Sequence, residues 1–165
     1  MLNPETIVID TSPLIALVAA LGDLKVLEFL YSTVVVPFEV CQEIEQGGPN
    51  GFAVAEFQQA LFLQKYHTQV NIPPFLSNLL DRGETAVIQL ALNKSIQTVC
   101  IDEIPGRRVA RLSGLSLTGA IGILIRAKRE GYLFSMPKAI DKMKKKGIRL
   151  SDRVIKVALE QSEII

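Results

Sequence analysis

Four acidic residues stand where an α/β chain places its chemistry: Asp10, Glu43, Glu84 and Asp102. Asp10 directly follows the apolar run Thr6-Ile7-Val8-Ile9, and Asp102 directly follows Thr98-Val99-Cys100-Ile101. Such short, β-rich runs read as buried strands, and in open parallel sheets ligands bind beyond the carboxyl ends of the strands. Glu43 lies two turns into the helix expected after another such run, Thr33-Val34-Val35-Val36. Glu84 opens the helix that leads toward Asp102. In a doubly wound sheet these four converge on one edge. Three or four acids without a neutralising histidine repel each other and raise one another's pKa. A hard divalent cation such as Mg2+ or Mn2+ removes that cost, since it prefers carboxylate and water oxygens. It can then bridge phosphate, lower the pKa of a water and neutralise a leaving oxygen.

Each acid also has a plainer reading. Ser12 can N-cap a helix in which Pro13 takes the first position, so a capping role for Asp10 is the weaker one. Asp102 can cap the helix that enters through Pro105. Glu43 alone is a solvated face residue. Asp81-Arg82-Gly83-Glu84 has the spacing of a capping box with Asp81 as the cap. The metal reading therefore rests on the set, not on any one member.

Other chemistries find less support. His67 is the single histidine and has polar flanks, so it belongs in a loop or at the surface, and zinc sites and Ser-His or Cys-His catalysis are disfavoured. Cys41 and Cys100 lie in apolar settings without a CxxC partner and read as buried free thiols, as in a reducing compartment. Paired carboxylates also serve glycoside hydrolysis, but tryptophan is absent and tyrosine scarce. A haloacid-dehalogenase type of phosphotransfer wants a second aspartate two residues after the first, where this chain has Ser12. No Gly-rich turn follows the first strand, which disfavours dinucleotide binding.

The elements that must position these acids follow from the pattern. Of 165 residues, 48% are hydrophobic and 21% charged, which suits one domain, residues 1–165, with a real core. Helices are expected after Ser12, over Leu24–Leu30, from Pro37, over Phe52–Ala60, over Glu84–Asn93 and over Pro105–Leu112. A strand is expected within Leu61–Val70 and a short one at Leu115–Leu117. The helix from Pro37 turns Val40, Cys41 and Ile44 inward, with Glu39, Gln42, Glu43 and Gln46 on its polar side. Helices near 119–130, 135–146 and 151–163 close the chain, and 135–165 reads as a helical C-terminal extension. Strands alternating with helices predict an α/β Rossmann-like three-layer sandwich around a mostly parallel sheet. Gly47-Gly48-Pro49-Asn50-Gly51 reads as a turn. The run Pro13–Leu21 is too short to span a membrane, and Asn3, Pro4 and Glu5 do not form the basic start of a signal peptide. The net charge of +1 hides basic groups at Arg107, Arg108 and Arg111, at Arg126, Lys128 and Arg129, and from Lys142 to Arg153. By charge alone these read as solvated helix faces rather than phosphate sites.

The motifs together resemble those of PIN-domain nucleases. Ile7-Val8-Ile9-Asp10-Thr11-Ser12-Pro13-Leu14-Ile15 resembles the opening motif, and Val36-Pro37-Phe38-Glu39-Val40-Cys41-Gln42-Glu43-Ile44 the second. Arg82-Gly83-Glu84-Thr85-Ala86 is similar to the third acidic position, and Val99-Cys100-Ile101-Asp102-Glu103 with Arg107-Arg108-Val109-Ala110 to the fourth. Gly114–Leu117, ahead of Thr118-Gly119, fits the last short strand. The set resembles a subgroup close to the VapC-type toxins, with the helical extension added.

That resemblance implies a PIN-like fold and an endoribonuclease that uses Mg2+ or Mn2+ held by Asp10, Glu43, Glu84 and Asp102. Ser12 matches a hydroxyl position near the metal, and Glu103 is a substitute or helper for Asp102. The third position is commonly aspartate in the wider family, and Glu84 is one methylene longer. Arg107 is expected to seat the RNA backbone. For relatives of the toxin type the resemblance implies a small antitoxin partner and a homodimer, while the free thiols, the signal-free start and the short apolar run make a cytoplasmic location without a membrane the expectation. The competing expectation is a non-catalytic module that binds RNA or protein through the same surface.

Overall fold

The computed structural model describes residues 5–47 and 50–162. Five strands form one parallel sheet: β1 (Thr6–Ile9), β2 (Thr33–Val36), β3 (Gln64–Lys65), β4 (Thr98–Cys100) and β5 (Ser116–Thr118), in the order β3-β2-β1-β4-β5. The chain winds outward from β1 to β3, then crosses to β4 on the other side of β1. This reversal puts helices on both faces and makes the β1–β4 gap the switch point, where the loops diverge and leave a crevice. The three-layer expectation holds.

The β-branched runs form these strands because both of their faces are covered. Ile7, Val8, Ile9, Val35, Val36, Val99 and Cys100 are all at most 2% exposed. Each such side chain contributes about 1.5–3 kcal/mol by leaving water. The register pairs Val8 with Val35, Ile9 with Cys100, and Cys100 with Thr118. Asp10, Pro37 and Ile101 therefore leave the sheet at one edge. The Asp10 N–H carries the β1–β4 ladder one step further, donating to the Cys100 carbonyl at 3.0 Å.

Ten helices complete the described chain: α1 (Thr11–Leu21), α2 (Lys25–Leu30), α3 (Phe38–Glu45), α4 (Val54–Gln59), α5 (Pro74–Ser77), α6 (Arg82–Asn93), α7 (Ile104–Leu112), α8 (Ala120–Arg129), α9 (Met136–Lys145) and α10 (Asp152–Ser162). Helix α6 packs on β1 and β4, with Val87, Leu90 and Ala91 buried as expected. Helix α9 packs on α1, and α10 on α8 and α9. Cys41 and Cys100 are buried free thiols, and His67 is exposed in a loop. No helix among the described residues is long and apolar enough to cross a membrane.

Two expectations are corrected here. Helix α1 starts at Thr11, and Asp10, not Ser12, is its N-cap, accepting from the Thr11 N–H at 2.8 Å. An aspartate ending a strand can keep extended backbone while its carboxylate reaches the first free amide of the helix, so the cap falls two residues earlier. Glu39 is not on a solvated face. It is 2% exposed, because the loop after β3 folds over α3 and the Val70 N–H donates to its carboxylate at 2.9 Å. The strand expected within Leu61–Val70 is present as Gln64–Lys65, at the edge of the sheet. The one-turn helix α5 was not expected. The Gly47–Gly51 turn falls partly outside the described residues.

Candidate metal and active site

Asp10 caps α1 at the end of β1 and is 4% exposed. Its carboxyl is pushed up to about 8, first by burial and then by the nearby charges of Asp81, Glu43 and Glu84, against the opposing Thr11 amide. One side of the site comes from α3, which Pro37 starts at the end of β2. Glu43, half-buried on this helix, accepts from the Thr11 hydroxyl at 2.7 Å. Burial raises its pKa, while the bonds from Thr11 and the Gly83 amide oppose that rise.

The opposite side comes from α6. Asp81 caps it, accepting from the Glu84 N–H at 2.8 Å, and Glu84 Oε1 reaches back toward the Asp81 N–H at 3.4 Å. The expected capping box is present. It does not exhaust Glu84: Oε2 is buried with no hydrogen-bond partner. The Glu84 carboxyl is pushed up to about 7, by burial and then by Asp81 and Glu103. Asp81, Glu84 and Glu103 each offer an oxygen, and these oxygens lie within 4.8 Å of one another.

Asp102, at the end of β4, is turned toward β5 and α8. Its Oδ1 accepts from the Ala120 N–H at 2.8 Å, so it serves the start of α8, not the α7 helix suggested by Pro105. Burial raises its pKa, while that amide and Arg107 lower it. The Arg107 guanidinium donates to the carbonyls of Ile101 at 2.7 Å and Thr118 at 3.3 Å. It ties the ends of β4 and β5 together beside Asp102. Ser12 donates to Glu103 at 3.2 Å and so stands at the mouth of the cluster.

Three glycines hold the acids close. A Cβ on Gly83 would overlap the Glu43 carboxylate, one on Gly106 would lie 2.6 Å from Glu84 Oε2, and one on Gly119 would lie 2.6 Å from Asp102 Oδ1. At each position the missing side chain lets the backbone lie close against the carboxylate oxygens.

Of the expected residues, Glu84 and Glu103 bring oxygens together with Asp81; Asp10 and Glu43 stand near enough for the acids' charges to raise their pKa; and Asp102 has one oxygen engaged by Ala120. Two members escaped sequence reasoning. Asp81 looks like a cap and nothing more, although the fold places it among the acids. Thr11 had a signal in hindsight: a hydroxyl residue directly after a strand-ending acid. A cation fits this donor set. The ligands on offer are all oxygens, one buried carboxylate oxygen is orphaned, and two carboxyls sit far above their ordinary range.

No curated protein matches the chain. The family model DUF3368, described as PIN domain, matches residues 6–163, which takes in α9 and α10 as well as the sheet. The chain belongs to the PIN-domain family, whose members are generally metal-dependent nucleases.

Proposed function

We propose that the protein is an endoribonuclease that uses Mg2+ or Mn2+, hydrolysing RNA phosphodiester bonds at the carboxyl edge of β1 and β4. One observation carries this reading: the buried Glu84 Oε2 has no hydrogen-bond partner, on a carboxylate that meets Asp81 and Glu103 and whose charge reaches Asp10. An orphaned carboxylate oxygen in the interior costs several kcal/mol unless something satisfies it. A divalent cation satisfies it and its neighbours at once.

Asp10, Glu43 and Glu84 would hold the cation, with Asp102 and Glu103 at the side where substrate enters. When bound, the cation neutralises charge on the phosphate and on the leaving oxygen and makes water a better nucleophile. The chain's own groups do the rest. Thr11 fixes the rotamer of Glu43, the α6 cap fixes Glu84, and Arg107 holds the β4 and β5 ends so that Asp102 keeps its place. With Asp10 held near 8 and Glu84 near 7, one of them carries a proton at neutral pH when no cation is bound. A role as the toxin of a toxin–antitoxin pair belongs to the same proposal. Growth arrest on induced expression, absent with Asp10→Asn, is its sign.

The direct test is incubation of the protein and its Asp10→Asn variant with a pool of structured RNAs, with Mn2+, Mg2+ or EDTA. Cleavage that needs both Asp10 and the cation is the expected result. If neither cleavage nor a cation-dependent rise in melting temperature occurs, the non-catalytic binding module takes its place.

A further inference from the structure

A cleft of about 940 Å3 opens directly beside the acid cluster, toward the upper end of the range of about 300–1,000 Å3 usual for ligand sites. Ser12, Asp102 and Glu103 form one end. The segment after α9 and the first turns of α10 also line it, through Leu150, Val154 and Val157. Helix α10 is anchored by the fully buried Ala158, yet Val154 and Val157 remain 38% and 42% exposed. Arg149 and Arg153 also line the cleft, and both are exposed. Among the described residues neither forms an ion pair.

Three features select an occupant: unpaired guanidinium groups, an apolar wall beside them, and continuity with a site for phosphodiesters. Guanidinium groups bind phosphate through a fork of donors, and nucleobases offer apolar faces to such walls. An acidic peptide would satisfy the arginines but has no use for the acid end. A polynucleotide strand uses both ends of the cleft.

We propose that this cleft seats the single-stranded RNA segment flanking the scissile phosphate, with Arg149 and Arg153 on its phosphates and Leu150 and Val154 against a base. The C-terminal helices then form one wall of the substrate site. This rests on the ribonuclease reading and adds which part of the chain holds the substrate.

The test uses the full chain and a labelled single-stranded RNA. Kd is measured in the Asp10→Asn background over a range of salt, and KM and kcat with Asp10 intact. Reversing both charges, Arg149→Glu with Arg153→Glu, is expected to raise Kd and KM about tenfold and to flatten the salt slope by about 1.4, at about 0.7 per phosphate contact for a single strand. The kcat stays near that of the wild type. Arg149→Lys with Arg153→Lys restores the salt slope, since a lysine still neutralises a phosphate, but only part of the affinity, since it lacks the guanidinium fork. Val154→Trp, which fills the cleft without changing charge, also raises KM. Melting temperatures identify any variant that fails to fold. If the wild type cuts RNA and all three proteins keep its KM and salt slope, the cleft is not the RNA site, and the proposal falls while the ribonuclease reading stands. If the wild type neither binds nor cuts RNA, the ribonuclease reading fails first and this proposal with it.

Discussion

Burying Asp10 at the head of the site has a cost that depends on pH. Its carboxyl is held at about 8 in the folded chain, against an ordinary 3.8. Between these values the unfolded chain has already released the proton that the folded chain keeps. Stability therefore falls as pH rises from about 4 to about 8 and levels off above. The cost of Asp10 grows by about 4 kcal/mol between about pH 5 and about pH 9. Asp10→Asn keeps an oxygen for the Thr11 amide and carries no charge. In EDTA, urea unfolding of the two proteins should thus show the variant's advantage growing by about 4 kcal/mol from about pH 5 to about pH 9. Other carboxylates titrate in both proteins, so the difference between the curves reports Asp10 together with its coupling to Asp81, Glu43 and Glu84. Parallel stability curves over this window would refute the reasoning, since Asp10 would then pay no burial cost for a cation to relieve.

Three further outcomes follow from the geometry. Gly83→Ala should gain helix propensity yet lose stability by about 1–3 kcal/mol, because its methyl group overlaps the Glu43 carboxylate; urea unfolding and Mn2+ affinity both report it. Thr11→Val removes the hydroxyl that orients Glu43, so cation affinity or cleavage rate should drop about 10–100-fold with the fold intact. Arg107→Met should destabilise the chain by about 1–3 kcal/mol by leaving the Ile101 and Thr118 carbonyls without their donor. If Arg107 serves only the RNA backbone, that variant instead keeps its stability and raises KM.

The strands that carry the site were legible because β1, β2 and β4 are continuous apolar β-branched runs, which only a sheet covered on both faces can bury. Asp10 and Asp102 were legible for the same reason, as acids that end such runs. Glu43 and Glu84 gained meaning only in company, since each has an ordinary role on a helix. What the sequence hid were long-range events. Glu39 falls on the polar side of α3 by periodicity, and its burial depends on a loop some thirty residues later closing over it. The approach of Thr11 to Glu43 depends on α1 and α3 meeting at the sheet edge. Asp81 satisfies a local rule so well that its place in the cluster leaves no separate trace. Arg107 belongs to a basic group that reads by charge as a solvated helix face, but two strand-end carbonyls have claimed it.

The central claim is that these carboxylates form a cation site that is partly protonated when empty. Calorimetric titration of Mn2+ at about pH 7, in two buffers of different ionisation heat, measures affinity and proton release together, because a cation must displace the protons its ligands carry. Binding with release of about one proton is expected of the wild type, and loss of both binding and release in Asp10→Asn. Binding without proton release, or equal binding by both proteins, would contradict it.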